Sequence, residues 1–156
     1  MAGWRIEFIN SADASLRCLP SNEWSDPATC AHWFIGHWNP PVAGCGCGYR
    51  ITRDTATLAE YWRLRGRTAF NPWGRPWSRP TVAAVPVIAA GRAMAHDTDA
   101  NLDANTCLSV QWIRLTGTIY TPEHQLAPAL KQRYRTNVVV LDDIQDLAAL
   151  EPESLD

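Results

Sequence analysis

Between Cys30 and Gly48 the chain reads CAHWFIGHWNPPVAGCGCG, and this stretch constrains the fold more than any other. Residues 21–47 contain Pro27, Pro40 and Pro41 together with three glycines, a composition that predicts irregular chain. A loop of that length is uncommon in a compact domain unless something ties it down. The stretch carries its own means of doing so. Cys30, His32, His37, Cys45 and Cys47 lie within nineteen residues, and four thiolate or imidazole ligands close a tetrahedral site for which zinc is the usual occupant.

Cys45 and Cys47 are separated by one residue. Two thiolates so close share a metal only if the backbone bends sharply between them. Gly44, Gly46 and Gly48 supply that freedom. The expected ligand set is Cys30, His37, Cys45 and Cys47; His32 competes with His37, but its spacing of two from Cys30 strains a chelate. Four good ligands leave no open position, so the expected zinc is structural. The competing reading is that these cysteines are small core residues, which is how the isolated Cys18 and Cys107 are read.

The run Cys30…His37-Trp38-Asn39-Pro40…Cys45-Gly46-Cys47-Gly48-Tyr49-Arg50, with Gly91-Arg92 further on, resembles a pattern in small uncharacterised actinobacterial and actinophage proteins. The resemblance covers about residues 18–95 and leaves the last third unmatched. It implies a metal site and a source of that kind, and no activity. Basic residues are thirteen arginines to one lysine, Lys131. That bias agrees with a GC-rich genome, and guanidinium also holds phosphate and carboxylate bidentately.

A second unusual segment is residues 62–79, WRLRGRTAFNPWGRPWSR. Arg63, Arg65, Arg67, Arg75 and Arg79 alternate with Trp62, Phe70, Trp73 and Trp77, with no acid among them. Arginine and tryptophan dominate protein–protein hot spots. The same pair suits nucleic acid, with guanidinium on phosphate and indole stacked on unpaired bases. The chain as a whole carries −2, whereas a dedicated nucleic-acid binder is distinctly basic. A protein partner is therefore expected ahead of nucleic acid, with Arg63, Arg65, Arg67, Trp73, Arg75, Trp77 and Arg79 as the contact residues. The plainer alternative is that Trp62 and Phe70 anchor the loop and the arginines are solvated. Charge is also uneven: residues 1–95 carry +4 and residues 96–156 carry −6, as in a domain with two faces of opposite sign.

The remaining pattern predicts a single α+β domain over residues 1–150, a mostly antiparallel sheet with two or three helices and a zinc-knuckle-like loop, followed by a frayed acidic tail at 151–156. Strands are expected at 4–9, 15–19, 48–52, 82–94, 108–120 and 137–141, the last buried. Pro86 marks an edge or bulge. Helices are expected at 54–64, capped by Asp54 or Thr55, and from Thr121-Pro122-Glu123 to about Tyr134, with Pro128 as a kink; Asp142 or Asp143 caps a last short helix. No apolar run is long enough to span a bilayer and no signal peptide is recognisable. A cytoplasmic location with reduced thiols is the expectation. Walker, G-x-G-x-x-G and G-x-S-x-G motifs do not occur. Pairing Cys107 with His96 or His124 for catalysis is arbitrary. The expected function is a small metal-stapled binding or adaptor protein, with nucleic-acid binding, or an enzyme with an open zinc site or a non-local pocket, as the alternatives.

Overall fold

The structure is a computed structural model that describes residues 1–19, 22–23, 41–42, 47–65, 81–95 and 107–150. It is an α+β fold built on one sheet. The strands are β1 (Ala2–Asn10), β2 (Ser15–Leu19), β3 (Asn22–Glu23), β4 (Tyr49–Thr52), β5 (Val82–Ala95), β6 (Cys107–Leu115), β7 (Ile119–Thr121) and β8 (Val138–Val140). Among the described residues there are also two α-helices, α1 (Thr55–Arg65) and α2 (Ala127–Tyr134), and a 3-10 helix at Ile144–Ala149. The strand order is β3-β2-β1-β4-β6-β5-β7-β8, and a further pairing of β1 with β5 curls the centre into a ring, β1-β4-β6-β5. Among the described residues the β7–β8 pair is parallel and the other pairs are antiparallel.

Curling gives the sheet two buried faces. Alternate residues of β5 divide between them. Ala83, Val85, Val87 and Ala89 join Ile9, Leu16, Tyr49, Ile51, Val110 and Ile119 in an inner core, closed by Leu130 of α2. Val82 and Ala84 join Trp4, Phe8 and Tyr120 in an outer core, closed by Leu58 and Ala59 of α1 and by Ile144 and Leu147 of the 3-10 helix. The Trp4 and Tyr120 rings meet at 5.7 Å, tilted by 52°. Strand alternation therefore sorts one apolar run into two cores.

Most of the expected elements are present, and their ends have local causes. The β1–β2 turn is held by Asn10, whose carbonyl accepts the Ala14 amide at 2.7 Å; Asp13 accepts both the amide and the hydroxyl of Ser15. Asp54 caps α1, accepting the Thr57 amide at 2.6 Å. Asp143 caps the 3-10 helix in a reciprocal capping box with Asp146. Pro86 sits mid-strand rather than at an edge. Its carbonyl accepts the Thr116 amide, so its missing N–H faces the gap where β5 changes partner from β6 to β7, and no ladder bond is lost.

Three expectations are corrected. The single strand over 108–120 is two strands, broken around Gly117, which has φ 64°. The helix expected from Thr121 begins at Ala127. Thr121 is instead the fully buried end of β7, and its hydroxyl donates to the Val82 carbonyl at 2.7 Å and accepts the Glu123 amide. Pro128 then falls in the first turn of α2, where no N–H is needed, and kinks nothing. The valine strand expected to be buried is the outer strand of the sheet, with Val139 40% exposed. No helix among the described residues is long and apolar enough to cross a membrane.

Candidate functional site at the roots of the two long segments

β1 forks the sheet. One edge pairs with β5 from Ala2 to Phe8. The other pairs with β2 at Phe8, Ile9 and Asn10 and with β4 only at Trp4. Arg5 to Glu7 lie in the crotch between these two prongs. The 24–46 segment, which carries Cys30, His37 and Cys45, follows β3 on the β2 prong and leads to Cys47, two residues before β4 on the other. Its two roots therefore flank the fork.

Arg5 and Glu7 are two residues apart on one strand and point to the same side, into the inner core. They form a buried ion pair: Arg5 is 6% exposed and Glu7 fully buried. The Arg5 guanidinium lies 5.2 Å from the centroid of the Tyr49 ring and donates to the Arg50 carbonyl at 3.4 Å. One guanidinium thus ties β1 to the root of β4 by ring and backbone, while its ion pair stays within β1. On the other face, Arg50 reaches α1 through the Tyr61 hydroxyl, at 3.4 Å. Sequence reasoning missed this cluster. Its one signal was an arginine and a glutamate two apart in a strand, which reads equally as a solvated row until both faces of β1 are known to be covered.

The returning root is tight. Gly48 has φ 99°, and a Cβ there would lie 3.1 Å from the Val110 carbonyl and 3.2 Å from Cβ of Pro41. Pro41 and Gly48 therefore close the base of the excursion that contains Cys45 and Cys47. Cys47 is buried. Cys30, His37 and Cys45 lie outside the described residues, as does the competing His32. Among the described residues no group of three or more potential metal ligands is gathered.

The arginine–tryptophan segment is also rooted on the sheet. Trp62 packs half-buried against the outer core, which makes it an anchor. Arg63 is exposed and bonds both oxygens of Glu60, which holds the Glu60 carboxyl below and the Arg63 guanidinium above their ordinary ranges. Arg65 ends α1, and Thr81 begins the return, its carbonyl accepting the Ile9 amide at 2.9 Å. Arg67, Trp73, Arg75, Trp77 and Arg79 lie outside the described residues. Cys107 is a buried core residue opposite Thr52. Burial pushes its thiol up, against the opposing pull of Arg50, so it is a poor nucleophile. Asp142 and Asp143 form no metal cluster with other described residues, and Asp143 is a cap.

No family model, curated protein or solved structure matches the chain.

Proposed function

We propose that the chain is a small binding or adaptor protein, an accessory factor of an actinobacterium or its phage, that engages a protein partner through residues 62–79. In this reading Cys30, His37, Cys45 and Cys47 hold a structural zinc that staples the 24–46 segment across the fork. The contact residues are Arg63, Arg65, Arg67, Trp73, Arg75, Trp77 and Arg79. The observation that carries the reading is that both ends of the arginine–tryptophan segment are fixed to the folded body, by Leu58, Ala59 and Trp62 in the outer core at one end and by the Thr81–Ile9 backbone bond to β1 at the other. A recognition loop held at both roots loses less entropy on binding than a free one. Arg63 is the weakest member of the set, because Glu60 already neutralises it.

Two measurements test the proposal. Elemental analysis of untagged protein should find one zinc per chain, lost in Cys45→Ser and Cys47→Ser; metal-free, stable variants would remove the staple. Affinity capture should yield a protein that survives nuclease treatment and is lost with Trp73→Ala and Arg75→Glu. Capture unchanged by both substitutions, or of nucleic acid released steeply by salt, would refute the protein-binding reading.

A further inference from the structure

The outer face of β5 changes character along its length. Val82 and Ala84 are buried beneath α1 and the 3-10 helix. Beyond Pro86 no helix of the described residues covers that row, and Ile88 is 39% exposed, with Ala90 exposed after it. The neighbouring strand continues the patch. Arg114 stands opposite Ile88, and Trp112, 37% exposed, stands opposite Ala90. An isoleucine, an alanine, a tryptophan and an arginine thus form one solvent-facing square across two paired strands.

The tryptophan is placed there by a bulge. The register slips between Ala90, opposite Trp112, and Ala93, opposite Val110, so Gly91 and Arg92 together face Gln111. Gly91 has φ 79°, and a Cβ on it would lie 2.6 Å from both Trp112 Cδ1 and Gln111 Oε1. Gln111 accepts the Arg92 amide at 3.3 Å. The bulge also blunts this stretch as an edge strand, so the side-chain face, and not the backbone edge, is the surface on offer.

Charge selects the partner. Neither β5 nor β6 contains an acidic residue; their only charges are Arg92 and Arg114, both exposed. A surface with a tryptophan and isoleucine at its centre and arginine at its rim has the make-up of a hot spot and complements carboxylates set beside an apolar anchor. We infer that the Ile88–Ala90–Trp112–Arg114 face is a docking surface that binds an acidic protein segment bearing an aromatic or aliphatic anchor. A nucleic-acid strand fits less well: one indole offers a single stacking platform, and the alanine and isoleucine beside it have nothing to give to phosphate.

The test is selection from a random peptide display library on the full-length protein. Enriched peptides should combine Asp or Glu with an aromatic or aliphatic residue. Measured by fluorescence anisotropy, their affinity should fall about tenfold or more with Trp112→Ala and with Arg114→Glu. Both altered side chains are exposed, so circular dichroism and the melting temperature should stay near wild type; Ile88→Asp serves as the alternative should Trp112→Ala lower the melt. Selected peptides without acids, binding insensitive to these substitutions, no enrichment at all, or an oligothymidylate binding where peptides do not would each overturn the inference.

Discussion

The ion pair of Arg5 and Glu7 offers the sharpest test of the architecture. Replacing Glu7 with leucine leaves a guanidinium inside the inner core at 6% exposure; replacing Arg5 with methionine leaves a carboxylate at zero exposure. Removing one partner of a buried pair costs about 3–5 kcal/mol, because the survivor keeps its desolvation penalty without its counter-charge. Arg5 also loses the Tyr49 ring and the Arg50 carbonyl, so Arg5→Met should be the more damaging change. Total stability for a domain of this size is about 5–15 kcal/mol, so either substitution removes a large share of it. With a urea m-value of about 2 kcal/mol/M, the midpoint should fall by about 2 M. The double variant Arg5→Met/Glu7→Leu removes both charges and restores an apolar fill. It should be well above the sum of the singles, with a coupling of at least about 1.5 kcal/mol. Urea unfolding of the four proteins, followed by far-ultraviolet circular dichroism, gives the cycle. A cost below about 1 kcal/mol for either single, or a double equal to the sum, would show that the pair is not buried and that β1 is open to water on one face.

Other expectations follow from single positions. Gly91→Ala should cost about 1–2 kcal/mol for the left-handed backbone, and more as Trp112 and Gln111 are displaced; a melting temperature equal to wild type would refute the bulge. The hydroxyl and amide of Ser15 hold the Asp13 carboxyl below its ordinary value of 3.8. Folding therefore favours the ionised form, and this contribution is complete at neutral pH and lost as pH falls through the depressed value. The stability gap between wild type and Asp13→Asn should accordingly narrow on acidification below about 3.8, and a constant gap would refute the assignment. Cys107 should react with a thiol reagent only as fast as the chain unfolds, in a slow phase missing from Cys107→Ala. A fast reaction would place it at the surface.

Local pattern was legible wherever the cause was local. The alternation at Trp4–Ile9, the Asp54 cap and the Asp143 cap are decided by neighbours in sequence, and each appears where those residues place it. The errors lie where a distant partner outbid a local signal. Thr121-Pro122-Glu123 has the form of a helix start, yet the Thr121 hydroxyl is taken by the Val82 carbonyl, 39 residues away in sequence. Val138–Val140 reads as a core strand because valine is apolar, but burial depends on what lies on either side, and among the described residues β8 has a strand on one side only. Of the proposed site residues, Cys47, Arg63 and Arg65 are among the described residues, the first in a buried root, the second against Glu60 and the third at the end of α1.

By itself the sequence determined the class of fold and most of its strands and helices, with two of the caps narrowed to neighbouring residues, because periodicity and capping act over a few residues. It also singled out the two loops whose composition suits metal and partner. Only the tertiary structure decided that β1 pairs with β5 as well as with β2 and β4. That closure gives the sheet a second buried face and drives Arg5 and Glu7 inside, while the change of partner from β6 to β7 lets Pro86 sit mid-strand and the β5–β6 register leaves Trp112 near Ile88 in water. Each of these depends on which strands are neighbours, and strand order is set by long-range packing that no short window of residues contains.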